Sequence, residues 1–432
     1  YCINMKFDKS PAIRISDKRC FTGWASIIKQ ITNHIDKLNN AAPVVAIECY
    51  QGIDFEDLKK NLVQPLQPNA VFTSEDYFYD EKKIREITQP DVTTDRIFGR
   101  ITELDIRDFI DQAKTTIVRH KISSEQGLTV IIGTGASLVA DNPDVILYAD
   151  MARWEIQQRM RSQEVSNIGI NNLETGIEDK YKRGFFVDWR VCDRLKKELY
   201  DSIDFLLDTN RRDEPKLIDK ATYDYLLEHT VSRPFSLVPF FDPGPWGGQW
   251  MREVCDLSPE PDNFAWCFNC VPEENSIQYQ FDDGAVFEMP SLNVVFFQSK
   301  KLLGEPVFEQ FGDEFPIRFD FLDTVEGGKL SLQVHPSEEY IKKEFGMNYT
   351  QNESYYMLDA SDDALVYLGV KKGIDPTQMI ADLKAANKGE ISFDSDKYVQ
   401  TWPTKKHDHY LIPNGTVHCS AEGCMVLEIS AT

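Results

Sequence analysis

The sequence predicts two domains, an α/β domain over residues 1–235 and a β-rich domain over residues 236–432. In the first, short runs of continuous apolar residues alternate with segments of helical periodicity. In the second, many short strand-like runs are separated by turn signals such as Asp-Asp-Gly, which is typical of a sandwich or barrel. The 432 residues are 42% hydrophobic and 12% aromatic, so the chain can bury a substantial core and is not disordered as a whole.

In the first domain, buried strands are predicted at residues 44–47, 128–132 and 145–148. Because these runs are apolar on both faces and are separated by helices, they indicate a mostly parallel sheet covered by helices. The predicted helices are 54–62, 152–163, 196–208 and 220–228.

In the second domain, the short runs bounded by turn residues predict strands, with two helical interruptions. The predicted strands are 277–281, 292–297, 317–322, 330–334, 355–358, 365–370 and 425–429. The helices are expected at 337–345, where Ser337 and two glutamates are typical of a helix start, and at 377–386.

Charge and cysteine content exclude several classes of function. The net charge of −23 argues against nucleic-acid and anionic-membrane partners, which need clustered Lys and Arg. No apolar run approaches the ~20 residues of a membrane span, and no signal-peptide pattern opens the sequence. The nine cysteines lack a framework spacing, so we expect reduced thiols in a cytoplasmic protein. The lone Cys267-x-x-Cys270 pair is interpreted as packing thiols, because no second pair completes a zinc site.

Three separated elements offer candidate metal ligands. Strand alternation places Gln333 and His335 on one face, and Pro336 ends the strand. Glu353 precedes an aromatic strand, and His418 follows a Pro-x-Gly turn that can direct it into a barrel. A histidine at a strand end is more often structural than ligating. Together, however, two imidazoles, a carboxylate and an amide oxygen are donors that suit zinc.

These motifs resemble those of a known family. The Pro-x-Gly-x-x-His element resembles the second motif of cupins, which are metal-binding jelly-roll barrels, and residues 236–432 resemble the type I mannose-6-phosphate isomerases. The resemblance implies a cupin jelly-roll domain with one zinc ion per chain, held by Gln333, His335, Glu353 and His418. The stretches that carry the resemblance are 245–248, 315–319 with 332–336, Glu353 with 355–360, and 411–418 with 426–429.

The resemblance also implies an activity. The family interconverts mannose 6-phosphate and fructose 6-phosphate through an enediol(ate), and a metal would stabilise the negative charge that develops. A small sugar phosphate is therefore the expected partner, with Trp246, Arg318 and Lys405 as candidate pocket residues. The general base is not assigned, and the sequence does not determine the oligomeric state.

Three departures from the family keep a second interpretation open. Gln351 stands where the family commonly has a lysine, and residues 263–266 lack an acid that the family carries. Family members also continue beyond the position of Thr432, so we expect a cupin domain that is incomplete at its C-terminus. The alternative is a catalytically inactive, metal-containing cupin that binds a sugar or nucleotide as a regulatory module.

Two further motifs are interpreted conservatively. His407 and His409 would share a strand face, and we favour a surface or supporting role over metal ligation. Residues 133–137 follow a strand but lack the third glycine of a dinucleotide fingerprint and the Gly-Lys-Ser/Thr of a phosphate loop. Residues 129–161 resemble nucleotide and nucleoside kinases, yet residues 49–54 lack the lysine-containing loop. The first domain is interpreted as a structural α/β domain, with a degenerate kinase-like domain as the alternative.

Overall fold

The chain divides into two compact units, each assembled from segments that are separated in sequence. The structure, a computed structural model, describes residues 7–431. The α/β unit comprises Pro11–Leu237 and Pro272–Phe315, and the β unit comprises residues 7–10, Val238–Val271 and residues 316–431. This division differs from the single boundary predicted between residues 235 and 236, because residues 272–315 pack with the α/β unit. The expected early end of the barrel at Thr432 lies outside the described residues.

A seven-stranded sheet organises the α/β unit, in the order β2-β8-β7-β6-β3-β5-β4. The five strands from β7 to β4 are parallel, and β2 and β8 are antiparallel additions at one edge. The predicted mostly parallel sheet is therefore present. Its strands are β2 (Phe21–Thr22), β3 (Val44–Cys49), β4 (Ala70–Thr73), β5 (Thr129–Gly133), β6 (Val145–Asp150), β7 (Phe205–Asp208) and β8 (Lys216–Asp219).

A small second sheet explains why residues 272–315 join this unit. Strand β11 (Ser276–Phe281) pairs in parallel with β1 (Ala12–Ile15) and antiparallel with β12 (Val286–Pro290). The strand predicted at 292–297 is instead the start of a largely buried helix, α11 (Leu292–Leu303). An apolar run of that length fits a buried strand and a buried helix equally well, so periodicity alone could not separate them.

Helices flank the sheets of the α/β unit. Aspartates cap several of them: the side chain of Asp111 accepts from the amides of Ala113 and Lys114 at the start of α5. The helix predicted over 196–208 is wrong in its second half, where the chain leaves α8 and enters β7. The helices are α1 (Trp24–Lys37), α2 (Phe55–Leu58), α3 (Ser74–Tyr77), α4 (Glu81–Val92), α5 (Gln112–Ser124), α6 (Arg153–Arg161), α7 (Ile177–Arg183), α8 (Trp189–Leu199), α9 (Lys220–Val231), α11 (Leu292–Leu303) and α12 (Glu305–Phe311).

Two antiparallel sheets build the β unit. One has six strands in the order β17-β14-β19-β13-β10-β9, and the other has three in the order β16-β15-β18. The strands are β9 (Phe240–Asp242), β10 (Trp266–Cys270), β13 (Arg318–Asp323), β14 (Asn352–Ala360), β15 (Leu365–Val370), β16 (Val399–Pro403), β17 (His409–Ile412), β18 (His418–Ser420) and β19 (Cys424–Ala431). The helices are α10 (Trp250–Val254), α13 (Glu338–Phe345), α14 (Pro376–Asn387) and α15 (Ser395–Tyr398).

An apolar core fills the space between these two sheets. Tyr355, Met357 and Val426 contribute from the six-stranded sheet, and Val366 and Cys419 contribute from the three-stranded sheet. Along β14 the same inward face that carries Tyr355 and Met357 also carries a carboxylate at the start of the strand, at position 353. The core therefore gives way to polar side chains at one end of the sandwich.

The helices within residues 7–431 are all too short or too polar to span a lipid bilayer.

Candidate metal centre

Backbone pairing brings two of the predicted ligands together. Gln333 and His418 form an isolated antiparallel bridge, with reciprocal N–H···O bonds of 3.0 Å. The strand predicted over 330–334 is reduced to this bridge, which places His335 two residues past Gln333, beside the turn that precedes β18. The helix predicted after Pro336 is present as α13, with Ser337 as its N-cap and Gly346 in the left-handed conformation at its end.

The predicted Pro-x-Gly turn holds the ligand segments in place. Gly415 has φ +78°, a conformation that favours glycine, and the amide of Thr416 donates to the carbonyl of Pro413 at 3.2 Å. The amide of Gly415 donates to the carbonyl of His335 at 2.8 Å. The backbone and side-chain amides of Asn414 both donate to Oδ1 of Asn352, at 2.9 and 3.0 Å. The turn is thus tied to the segments that carry the other two ligands.

Three donor atoms converge at this position. His418 Nε2 lies 2.5 Å from Glu353 Oε1, and His335 Nε2 lies 3.2 Å from Glu353 Oε2. The two imidazole centroids are 5.2 Å apart. Among the described residues this is the one group of three or more His, Cys, Asp or Glu side chains with ligand atoms all within 4.8 Å of one another.

The chemistry of the three side chains fits a divalent metal ion. His418 and Glu353 are buried and His335 is partly buried, yet His335 Nε2, His418 Nε2 and Glu353 Oε1 have no hydrogen-bond partner outside this group of three side chains. Buried polar atoms without partners are costly, so a cluster of them requires an explanation. His418 Nδ1 lies 2.9 Å from the carbonyl of Thr416, a contact that places the proton on Nδ1 and leaves Nε2 as a lone-pair donor. Two imidazoles and a carboxylate are a donor set that zinc takes.

A second buried carboxyl lies beside the group and was given no role from the sequence. Glu428 on β19 is cross-strand from Tyr355 and is joined to Glu353 through Gln351. Burial raises the pKa of Glu428 well above its ordinary value, and the charges of Glu353 and Asp320 raise it further. Burial would also raise the pKa of Glu353, but the adjacent imidazoles outweigh it and hold that pKa low. The sequence signal that could have identified Glu428 is an acidic residue on the buried face of the otherwise apolar strand β19.

The predicted site residues Gln333, Arg318 and Lys405 differ in their position relative to this group and in their exposure. Gln333 is half-buried beside Tyr355, whose ring centroid is 5.8 Å from that of His418. Arg318 pairs with Ser430, which in turn pairs with Glu353, so the three residues form one row across adjacent strands. The side chain of Lys405 is exposed, in the connection between β16 and β17.

Trp246 and the two glycines after it are packed against the core of the β unit. Trp246 is 6% exposed and makes an edge-to-face contact with Trp266 at 4.6 Å. A Cβ on Gly248 would overlap Oδ1 of the buried Asp323 and lie 2.6 Å from the carbonyl of Val325. The motif thus allows two chain segments to approach closely.

His407 and His409 are exposed and do not belong to the group formed by His335, Glu353 and His418. His407 Nδ1 lies 2.8 Å from the hydroxyl of Tyr356, and both histidine rings contact the Tyr356 ring. This is the surface arrangement that the sequence favoured. Cys267 is buried in an apolar cluster with Met425, as expected of a packing thiol.

In the α/β unit, the hydrogen-bond donors of the glycine-containing loop after β5 are already paired with a side chain of the protein. The buried carboxylate of Glu48 accepts from the amides of Gly135 and Ser137, at 2.6 and 3.0 Å, and from the Ser137 hydroxyl at 2.7 Å. Gly52, in the segment after β3, packs against Ile156 so closely that a Cβ would lie 2.8 Å from it. In a nucleotide-binding α/β domain, a phosphate would be expected to accept hydrogen bonds from such loop amides and to lie close to such a glycine. Here Glu48 uses the amides, and Ile156 fills the space beside Gly52.

Comparison with known proteins gives two separate similarities. Residues 23–232 match the model described as Domain of unknown function (DUF8485). The chain is 26% identical over 200 residues to the probable mannose-6-phosphate isomerase GmuF of Bacillus subtilis (strain 168), covering 46% of this chain and 58% of that protein. It is 26% identical over 187 residues to the mannose-6-phosphate isomerase of Streptococcus mutans, covering 42% of this chain and 52% of that one.

Solved structures of similar proteins include the mannose 6-phosphate isomerase from Bacillus subtilis, with a TM-score of 0.35, 21% identity, and coverage of 45% of this chain and 57% of that one. A zinc-bound mannose 6-phosphate isomerase has a TM-score of 0.34 and 14% identity, covering 45% of this chain and 67% of that one. The chain spans about half the length of the curated relatives it matches. A little under half of this chain is therefore similar to mannose-6-phosphate isomerases.

Proposed function

We propose that this protein is a zinc-dependent aldose–ketose isomerase that interconverts mannose 6-phosphate and fructose 6-phosphate through an enediol(ate). The observation that carries the proposal is the convergence of His335, Glu353 and His418, with three buried donor atoms that have no hydrogen-bond partner outside the group. The similarity of part of the chain to curated mannose-6-phosphate isomerases supports the choice of reaction.

The proposed centre holds one zinc ion per chain, with Gln333 as the fourth ligand beside the three converging side chains. The backbone bridge between Gln333 and His418 supports this assignment, because it keeps Gln333 next to a ligand. The two antiparallel sheets with a polar group at one end support a cupin jelly roll as the fold of the β unit. Eight cysteines among the described residues are not joined in disulfides, which supports a cytoplasmic location.

A bound zinc ion would supply Lewis-acid stabilisation of the negative charge that develops on the substrate oxygens. The protein's own groups supply the rest. Glu428 is the buried carboxyl linked to Glu353, and we assign it as the candidate that takes and returns the proton moved between C1 and C2. Arg318, in one row with Glu353 across the sheet, is the candidate cation for the phosphate. Lys405 and Trp246 remain proposed pocket residues.

The test combines metal content with turnover. Purified protein is analysed for bound zinc, and mannose 6-phosphate is incubated in D₂O so that proton exchange at C2 or C1 is visible by NMR. We expect one zinc per chain, formation of fructose 6-phosphate and incorporation of deuterium, all lost in His335→Ala. The exposed His409→Ala is the matched control and should retain all three. Absence of any divalent metal in the unmodified protein would refute the proposal.

A second candidate function is favoured by one residue. Gln351 is a neutral amide where the resemblance implies a lysine, so the site has one fewer group able to transfer a proton. A metal-containing module that binds a sugar or nucleotide without turnover would then explain the site. Stoichiometric zinc with no isomerisation and no deuterium exchange would identify this module.

For the α/β unit we propose a structural role. The filled glycine loop supports it, because the amides of Gly135 and Ser137 are already used by Glu48. Absence of heat in calorimetric titrations with ATP and with UTP would agree with this role, and saturable binding of either nucleotide would contradict it.

A further inference from the structure

We propose that Gln351 is a positioning residue, which orients the carboxylate of Glu353 for metal binding by tying it to Glu428. The inference rests on the proposed function. Its basis is one nitrogen atom: Gln351 Nε2 donates to Glu353 Oε2 at 2.8 Å and to Glu428 Oε1 at 3.2 Å. A primary amide has two N–H groups, so both are used by the two carboxyls.

This pairing divides the two oxygens of Glu353 between different tasks. Oε2 accepts from the Gln351 amide and lies 3.2 Å from His335 Nε2, whereas Oε1 lies 2.5 Å from His418 Nε2 and has no hydrogen-bond partner outside the three proposed ligands. A carboxylate held through one oxygen cannot rotate freely about its last bond, so the other oxygen keeps its direction. Groups that orient a ligand in this way tune metal affinity as strongly as ~10- to 100-fold.

The backbone around Gln351 makes the tether rigid. Its neighbour Asn352 accepts both amides of Asn414 through Oδ1, which fixes the start of β14 to the turn before His418. Glu428 is held in β19 between β14 and β13. The amide of Gln351 therefore adds a side-chain link between the start of β14 and β19, two strands that are already paired through their backbones. It does so without adding a charge beside the ion, as a lysine would.

The experiment uses cobalt(II) as the metal, because its visible absorption bands report the ligand geometry without any assay of turnover. The full chain is prepared free of metal, and Co²⁺ affinity and band positions are measured for the unmodified protein, Gln351→Met and Gln351→Lys. We expect Gln351→Met, which keeps the length but has no donor, to bind Co²⁺ at least ~10-fold more weakly with shifted bands. Gln351→Lys restores a donor and should restore the band positions.

Gln400→Met is the matched control, because Gln400 makes its side-chain hydrogen bond to the carbonyl of Thr401 in the other sheet. It should leave affinity and bands unchanged. Unchanged affinity and bands in Gln351→Met would overturn the inference, and so would Gln351→Lys bands that match those of Gln351→Met. If the unmodified protein bound no Co²⁺, the proposed metal centre would be refuted. That result is distinct from Co²⁺ binding that is unaffected by Gln351→Met, which refutes only the role of Gln351.

Discussion

Replacing Gly248 by alanine tests whether the Trp-Gly-Gly motif holds the β unit together. The added Cβ would overlap Oδ1 of Asp323 and lie 2.6 and 2.7 Å from the carbonyl and amide of Val325. Real Cβ contacts this short are essentially never found, so Asp323 and the backbone of Val325 would have to move. Asp323 is fully buried, and its carboxylate accepts from the amides of Met251 at 2.7 Å and Val325 at 3.0 Å.

The magnitude follows from those two bonds. Hydrogen bonds to a charged group contribute about 1.5–3 kcal/mol each, so losing both predicts destabilisation of about 3–6 kcal/mol. Urea unfolding of Gly248→Ala, followed by tryptophan fluorescence, measures the change in free energy of unfolding. Gly328→Ala is the matched control, because its Cβ would make ordinary contacts of 3.5 Å with Trp246, and we expect a change below about 0.5 kcal/mol. A loss below about 1 kcal/mol in Gly248→Ala would refute the reasoning.

Three further predictions concern the metal centre, pH and the core. Glu353→Gln should lower zinc affinity by more than ~100-fold, measured by competition with a chelating dye, because the anionic ligand is lost; unchanged affinity would exclude Glu353 as a ligand. Burial and then the charge of Glu288 raise the pKa of Asp208 to about 7. The native protein therefore binds this proton more tightly than the unfolded chain, so the contribution to stability is full below pH ~4 and falls, by up to about 4 kcal/mol, as the pH rises through 7. Asp208→Asn should flatten the pH dependence of urea unfolding between pH 5 and 8, and an unaltered slope would contradict the assignment. Met357→Ala, at a fully buried core position, should lower the free energy of unfolding by about 2–5 kcal/mol in the same assay. Leu411→Ala, at a side chain that is 77% exposed, should change it by less than about 0.5 kcal/mol. Equal effects of the two substitutions would contradict the assignment of Met357 to the core.

Local chemistry made several elements predictable. The buried strands of the α/β unit have continuous apolar runs, and α13 begins directly after its N-cap Ser337 and ends before Gly346. The Pro-x-Gly turn before His418 was readable for the same reason, since Gly415 supplies the positive φ. Such features depend on interactions between residues that are close in sequence, so the local sequence is enough to predict them.

Features set by distant pairing could not be read in this way. The run at 292–297 satisfies both a strand and a helix, and only its packing in the α/β unit selects the helix. The unit boundary depends on β11 pairing with β1 across more than 250 residues, a contact with no local signal.

By itself, the sequence determined which side chains could bind a metal, because Gln333, His335, Glu353 and His418 are recognisable by type and by the turns beside them. The tertiary structure decided which donor atoms converge and which lack partners. It also brought Glu428 to the group through Gln351. The physical reason is that a hydrogen bond or a metal site depends on distances of a few ångströms, and cross-strand register sets those distances between residues far apart in the chain.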